Sequence, residues 1–160
     1  MGNKIIIYVV IVGGLVILNL GLASCSSKAS NPYQEKSSLV YQLVESDVSI
    51  KASVLPNQVL DLSIMNQSSK QCSIGEDYAI EYYFEGDWYV VPMKPNTAFP
   101  AIGYFIETGK ERSFTVELKE YFDVLPSGHY RIVKEVILRD DVDEFANENN
   151  RRVLVAEFDI

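Results

Sequence analysis

One histidine, two cysteines and one acidic run are the residues of this chain whose types most invite chemistry. A nucleophilic triad needs a base, a partner that orients it and a nucleophile held on a tight turn. His129 is the sole imidazole, no Gly-x-Ser-x-Gly run accompanies it, and it follows Gly128 in what reads as a tight corner. Zinc sites of the usual kinds draw on several His or Cys ligands, which this inventory does not supply. Asp140-Asp141-Val142-Asp143-Glu144 offers the carboxylate oxygens that hard cations prefer. Its spacing is not that of an EF-hand, so it reads as a solvated loop. The other carboxylates are scattered, without the paired arrangement that acid–base work on a glycoside needs. The expectation is therefore a chain that is not an enzyme and carries no metal and no cofactor.

Cys25 is the exception, through its position. Lys4 is followed by an apolar run from Ile5 to Leu18, and then by Leu22-Ala23-Ser24-Cys25. A basic start, an apolar segment and small residues before the cut are the parts of an export signal. Together with the cysteine they resemble a bacterial lipoprotein signal peptide. That resemblance implies cleavage before Cys25 and a diacylglyceryl group, with palmitate-type acyl chains, on its thiol. One acyl chain holds a protein only marginally, whereas two anchor it stably. The protein is thus expected on the extracytoplasmic face of a bacterial cell membrane, within the cell envelope. Ile5 to Ala23 is also close to the length of an uncleaved membrane span, the competing reading. Myristoylation is rejected, because Ile6 stands where that motif wants Ser or Thr. The expected division is a signal peptide at 1–24, a lipidated cysteine with a flexible Ser-rich tether at 25–44, and one folded domain at 45–160.

The whole chain has 14 basic and 22 acidic residues; without Lys4 the balance is 13 against 22, a net of −9. Such a surface lacks the basic footprint that nucleic acid requires and does not adsorb to anionic lipid by charge. If Cys25 is acylated, Cys72 has no intrachain partner. It is then a free thiol, an intermolecular bridge or, the favoured reading, a half-buried small hydrophobe.

The elements that must position all of this are strands. Apolar residues alternate with period two at Val48–Val54, Leu60–Ile64, Tyr78–Phe84 and Phe114–Leu118. Glu85-Gly86-Asp87 reads as a tight hairpin, leading into Trp88–Val91. A short strand is expected at 102–106, a helical turn between 119 and 128, a long strand at Tyr130–Leu138 and a last one at Val153–Ile160. Short strands separated by turns, without a long helix, predict an all-β antiparallel sandwich or barrel.

Three runs narrow this further: Gly75-Glu76-Asp77-Tyr78-Ala79-Ile80-Glu81-Tyr82, Gly86-Asp87-Trp88-Tyr89-Val90-Val91-Pro92 and Leu125-Pro126-Ser127-Gly128-His129-Tyr130-Arg131-Ile132. In this order they resemble the bacterial immunoglobulin-like domain of small lipoproteins and surface proteins. The resemblance implies an immunoglobulin-like antiparallel β-sandwich. It also implies a structural corner at Gly128 and Tyr130, in which the tyrosine hydroxyl bonds back to the preceding loop. Ile132, where an antibody domain would carry a cysteine, would meet Leu62 across the sheets. Tyr78, Tyr82 and Phe84 are expected inward, and so is Trp88. Tyr83 and Tyr89, sharing the other face with Glu81 and Glu85, are the expected binding residues, together with Pro95 and Phe99 of the Pro-rich loop. The leading function is a non-catalytic module that binds an envelope protein or an extracellular ligand. The alternative is a cell-surface proteinase inhibitor using the loop Met93–Ala101.

Overall fold

The structure, a computed structural model, describes residues 30–38, 47–140 and 149–160. The signal segment, Cys25 and residues 141–144 of the acidic run lie outside the described residues. Its strands are β1 (Val48–Leu55), β2 (Val59–Asn66), β3 (Gln71–Gly75), β4 (Ala79–Phe84), β5 (Asp87–Val90), β6 (Gly103–Ile106), β7 (Lys110–Glu117), β8 (His129–Arg139) and β9 (Arg151–Asp159). One helical turn, α1 (Leu118–Tyr121), follows β7. Among the described residues, no helix is long and apolar enough to cross a membrane.

The strands form two antiparallel sheets, and the fold is an all-β sandwich. The smaller sheet has the order β1-β2-β7. The larger is built around β8, which pairs with β9 along one side. Along its other side β8 pairs first with β4 (Tyr82 opposite Tyr130) and then with β3 (Ile74 opposite Val136). β5 extends the sheet beyond β4, and β6 extends it beyond β3.

Alternation decides which side chains face inward. Leu60, Leu62 and Ile64 of the small sheet are fully buried, as are Ile80, Tyr130, Ile132 and Val136 of the large one. Leu62 and Ile132 share one core cluster with Tyr78, Phe122 and Phe158. A second cluster gathers Val48, Ile64, Cys72, Ile74 and Leu138. Cys72 is wholly buried, not half-buried, and burial pushes its thiol pKa up to about 11. It is a protonated core residue at neutral pH, without the thiolate that reaction requires.

β3 escapes the period-two reading of the sequence. Only Cys72 and Ile74 are apolar within it, and a strand this short with two inward residues carries too little pattern. Residues 35–37, expected in the flexible tether, lie instead along the free edge of β5. Ser37 N–H donates to the Trp88 carbonyl and Val90 N–H to the Glu35 carbonyl, each at 2.8 Å. Tyr33 packs edge-on against Tyr82 at 5.5 Å. An otherwise open sheet edge is thereby paired.

Two local devices set the geometry around β8. Glu85 and Gly86 both take positive φ, 48° and 97°, the type I′ hairpin whose twist suits β4 and β5. At the corner, the Tyr130 hydroxyl donates to the Pro126 carbonyl at 2.7 Å. Gly128 lies so close to the Tyr82 ring that a Cβ there would come within 2.5 Å of it.

Candidate functional site

The two-residue hairpin forces Tyr83 opposite Trp88, and Tyr82 opposite Tyr89. Directly opposed residues of an antiparallel pair project to the same side. Tyr83 and Trp88 therefore share the outer face of the large sheet, and Tyr89 points the other way. This corrects two expectations: Trp88 is not a core residue, and Tyr83 and Tyr89 do not form one surface. The turn length itself held the signal, because a two-residue loop fixes the pairing on both sides.

The neighbouring registers complete the outer face. Glu81 stands opposite Arg131, Arg131 opposite Glu157, and His129 opposite Asp159. Glu81, expected to be exposed, is buried at 1% exposure, and Arg131 at 6%. One Glu81 oxygen accepts from Arg131 Nε at 2.6 Å and Nη2 at 2.5 Å, and the other accepts from the Ser37 hydroxyl at 2.6 Å. The guanidinium carbon lies 4.2 Å from the centre of the Trp88 ring. Stacking plus a carboxylate is a combination that a planar guanidinium meets and an ammonium does not.

Outside this buried pair lies an open aromatic group. Tyr83, 40% exposed, packs on Trp88 at 5.1 Å and meets His129 edge-on at 5.9 Å. Trp88 and His129 are 5.6 Å apart. His129 Nδ1 lies 2.7 Å from Asp159 and Nε2 lies 3.0 Å from Glu157. The hydrogen bond to Asp159 raises the histidine pKa; partial burial opposes this and the bond to Glu157 adds to it. Both carboxylates reach solvent.

The other expected binding residues sit elsewhere. Phe99 packs against Tyr121 at 4.3 Å and Tyr78 at 4.7 Å, on the margin of the core. Pro95 is exposed on a loop tied down by Lys94, whose N–H donates to the Tyr121 carbonyl at 2.7 Å. Tyr83, Tyr89, Pro95 and Phe99 are thus not one site.

A second polar feature lies between the sheets. Lys134 points inward at 4% exposure, and its ammonium donates to the carbonyls of Gly75 (2.7 Å) and Asp77 (3.0 Å). It reaches the stretch where the chain stops pairing with β8 as β3 and resumes as β4. A cleft of about 200 Å³ beside it is lined by Leu62, Phe114, Val116, Tyr104 and Glu76. Tyr104 donates its hydroxyl to Glu76. Among the described residues, no group of three or more His, Cys, Asp or Glu is placed to hold a metal ion. Asp140, the described member of the acidic run, pairs with Lys70.

The outer-face group has exposed aromatic area, fixed orientation and charge, but no activated nucleophile. It is suited to contact with another molecule. A family model for the bacterial Ig-like domain matches residues 42–152. The chain belongs to that family. The match spans β1 to β8 and stops two residues into β9, so the family covers eight of the nine strands of the sandwich described here. Comparison with curated proteins finds no match. Of this bacterial Ig-like domain, then, the fold and the family are known, and its activity has to be argued from its surface.

Proposed function

We propose that this bacterial Ig-like domain is a non-catalytic recognition module, held by lipid on Cys25 at the extracytoplasmic face of the membrane. In this reading it binds another envelope protein or an extracellular ligand through the outer face of its large sheet. One observation carries the choice of face: Tyr83 is exposed while resting on a rigid base of Trp88, Arg131 and the buried Glu81. An aromatic side chain whose orientation is already fixed loses little freedom on binding, which is what makes such residues anchors. The Cys25 anchor rests on the sequence pattern of Lys4, the apolar run and Leu22-Ala23-Ser24-Cys25.

Two experiments test the two halves. Labelling cells with a fatty acid should mark the wild-type protein and not Cys25→Ala; equal label in both refutes the anchor. Crosslinking on intact cells should capture a partner with wild type and lose it with Tyr83→Ala at unchanged circular dichroism. Capture that survives Tyr83→Ala refutes the face.

A further inference from the structure

The proposed face also carries information about the chemistry of what it meets. The two cations beside its aromatic group are already engaged, Arg131 with Glu81 and Trp88 and His129 with Glu157 and Asp159, and Arg151 farther along β9 pairs with Glu135. The side chains of Glu157 and Asp159 are 57% and 80% exposed, and a single imidazole serves both. Even with His129 protonated, the open part of this face keeps an excess of negative charge beside an exposed aromatic ring. The surrounding protein adds to it, with a formal net charge of −8. Such a field attracts and orients a basic partner. The same face shows how it accommodates a guanidinium, since the Arg131 guanidinium carbon sits over the Trp88 ring while its nitrogens meet the Glu81 carboxylate.

We propose that the partner is a protein presenting a lysine- or arginine-bearing segment, whose cation settles against Tyr83 between Glu157 and Asp159 and displaces His129 from those carboxylates. This rests on the reading of the outer face as the recognition surface. It makes the imidazole proton a competitor of the ligand. The groups facing His129 are Tyr83 from β4, the Trp88 indole from β5, Arg131 from its own strand, and Glu157 and Asp159 from β9. Below its pKa the imidazolium neutralises one carboxylate charge. Above it the site gains one negative charge. Affinity for a cation therefore rises as pH rises through the His129 titration, and bound cation lowers that titration in return.

The protein has one tryptophan, Trp88, inside the site, so its fluorescence reports binding there directly. Octa-arginine and octa-glutamate peptides are titrated into the full chain in detergent micelles, at about pH 5.5 and about pH 8.5 to bracket a histidine. Octa-arginine should change Trp88 emission and saturate; octa-glutamate should not. Joint replacement Glu157→Gln and Asp159→Asn should weaken octa-arginine about tenfold, on the scale of close charge pairs at interfaces. Joint replacement Asp61→Asn and Glu111→Gln, on the small sheet, should leave it unchanged. His129→Gln should flatten the pH dependence. Silent Trp88 emission, equal weakening by both double variants, or an affinity independent of pH each overturns the proposal. The crosslinking assay separates the two levels. A partner lost with Tyr83→Ala but kept with Glu157→Gln/Asp159→Asn leaves the recognition face standing and removes the cationic partner.

Discussion

Arg131 and Lys134 lie three residues apart on β8, project to opposite faces of the large sheet, and are both almost wholly buried. Their surroundings differ in kind. Arg131 is met by the Glu81 carboxylate and the Trp88 ring. Lys134 is met by two backbone carbonyls, and burial pulls its pKa below the ordinary lysine value, with the charges of Asp77 and Glu76 opposing that shift. The outer site holds two opposite charges that neutralise each other. The inner site has no carboxylate hydrogen-bonded to its buried ammonium, which instead binds the backbone where β3 gives way to β4. A buried charge with a charged partner leaves a larger debt of desolvation when that partner is removed than a carbonyl does when it loses a donor.

The largest expected effect follows from that difference. Arg131→Met should destabilise the domain by about 3–5 kcal/mol, because it strands Glu81 in the protein. Adding Glu81→Leu should restore much of the loss. Denaturant melts of the single and double variants measure both. If Arg131→Met costs no more than Lys134→Met, the contrast between the two sites is broken.

Lys134→Met comes next. It keeps an unbranched apolar stem one atom shorter and leaves the Gly75 and Asp77 carbonyls without that donor, for an expected cost of about 1–3 kcal/mol. Amide exchange should show the loss concentrated at 75–78, whereas Arg131→Met should loosen β4 and β5.

Tyr130, on the same strand immediately before Arg131, calibrates them. Tyr130→Phe removes the hydroxyl's hydrogen bonds with the Pro126 carbonyl and the Tyr33 side chain and should cost about 1–2 kcal/mol. The smallest effect belongs to His129. Its folded pKa is raised, so its stabilisation is fully present below the unfolded value and is lost as pH rises through the folded one. Because the ring and both carboxylates meet solvent, that loss should be slight. Melts across this pH range with wild type and His129→Gln should differ little, in contrast to the pH dependence proposed for cation binding.

Alternation of apolar side chains along a strand is a local property. β1, β2, β4, β7, β8 and β9 were therefore legible from their own residues. So was the hairpin at Glu85-Gly86, where two adjacent residues set the backbone. β3 was not, because two apolar residues make no pattern. The site fared less well for a related reason. Reading Tyr83 and Tyr89 as one surface treated β4 and β5 separately, when the turn between them decides which residues oppose each other. Glu81 could not be recognised as buried from β4 alone. Nothing near it in sequence reveals the guanidinium that permits its burial, fifty residues away.

Residue types and their spacing along the chain thus determined the strand content, the tight hairpin and the bacterial Ig-like character of this protein. Which strands became neighbours, and in what register, only the tertiary structure decided. The physical reason is range: side-chain alternation and turn geometry act over a few residues, whereas β4, β8 and β9 meet through contacts distant in the chain. Those contacts brought Glu81 to Arg131, Arg131 over the Trp88 ring, and His129 between Glu157 and Asp159.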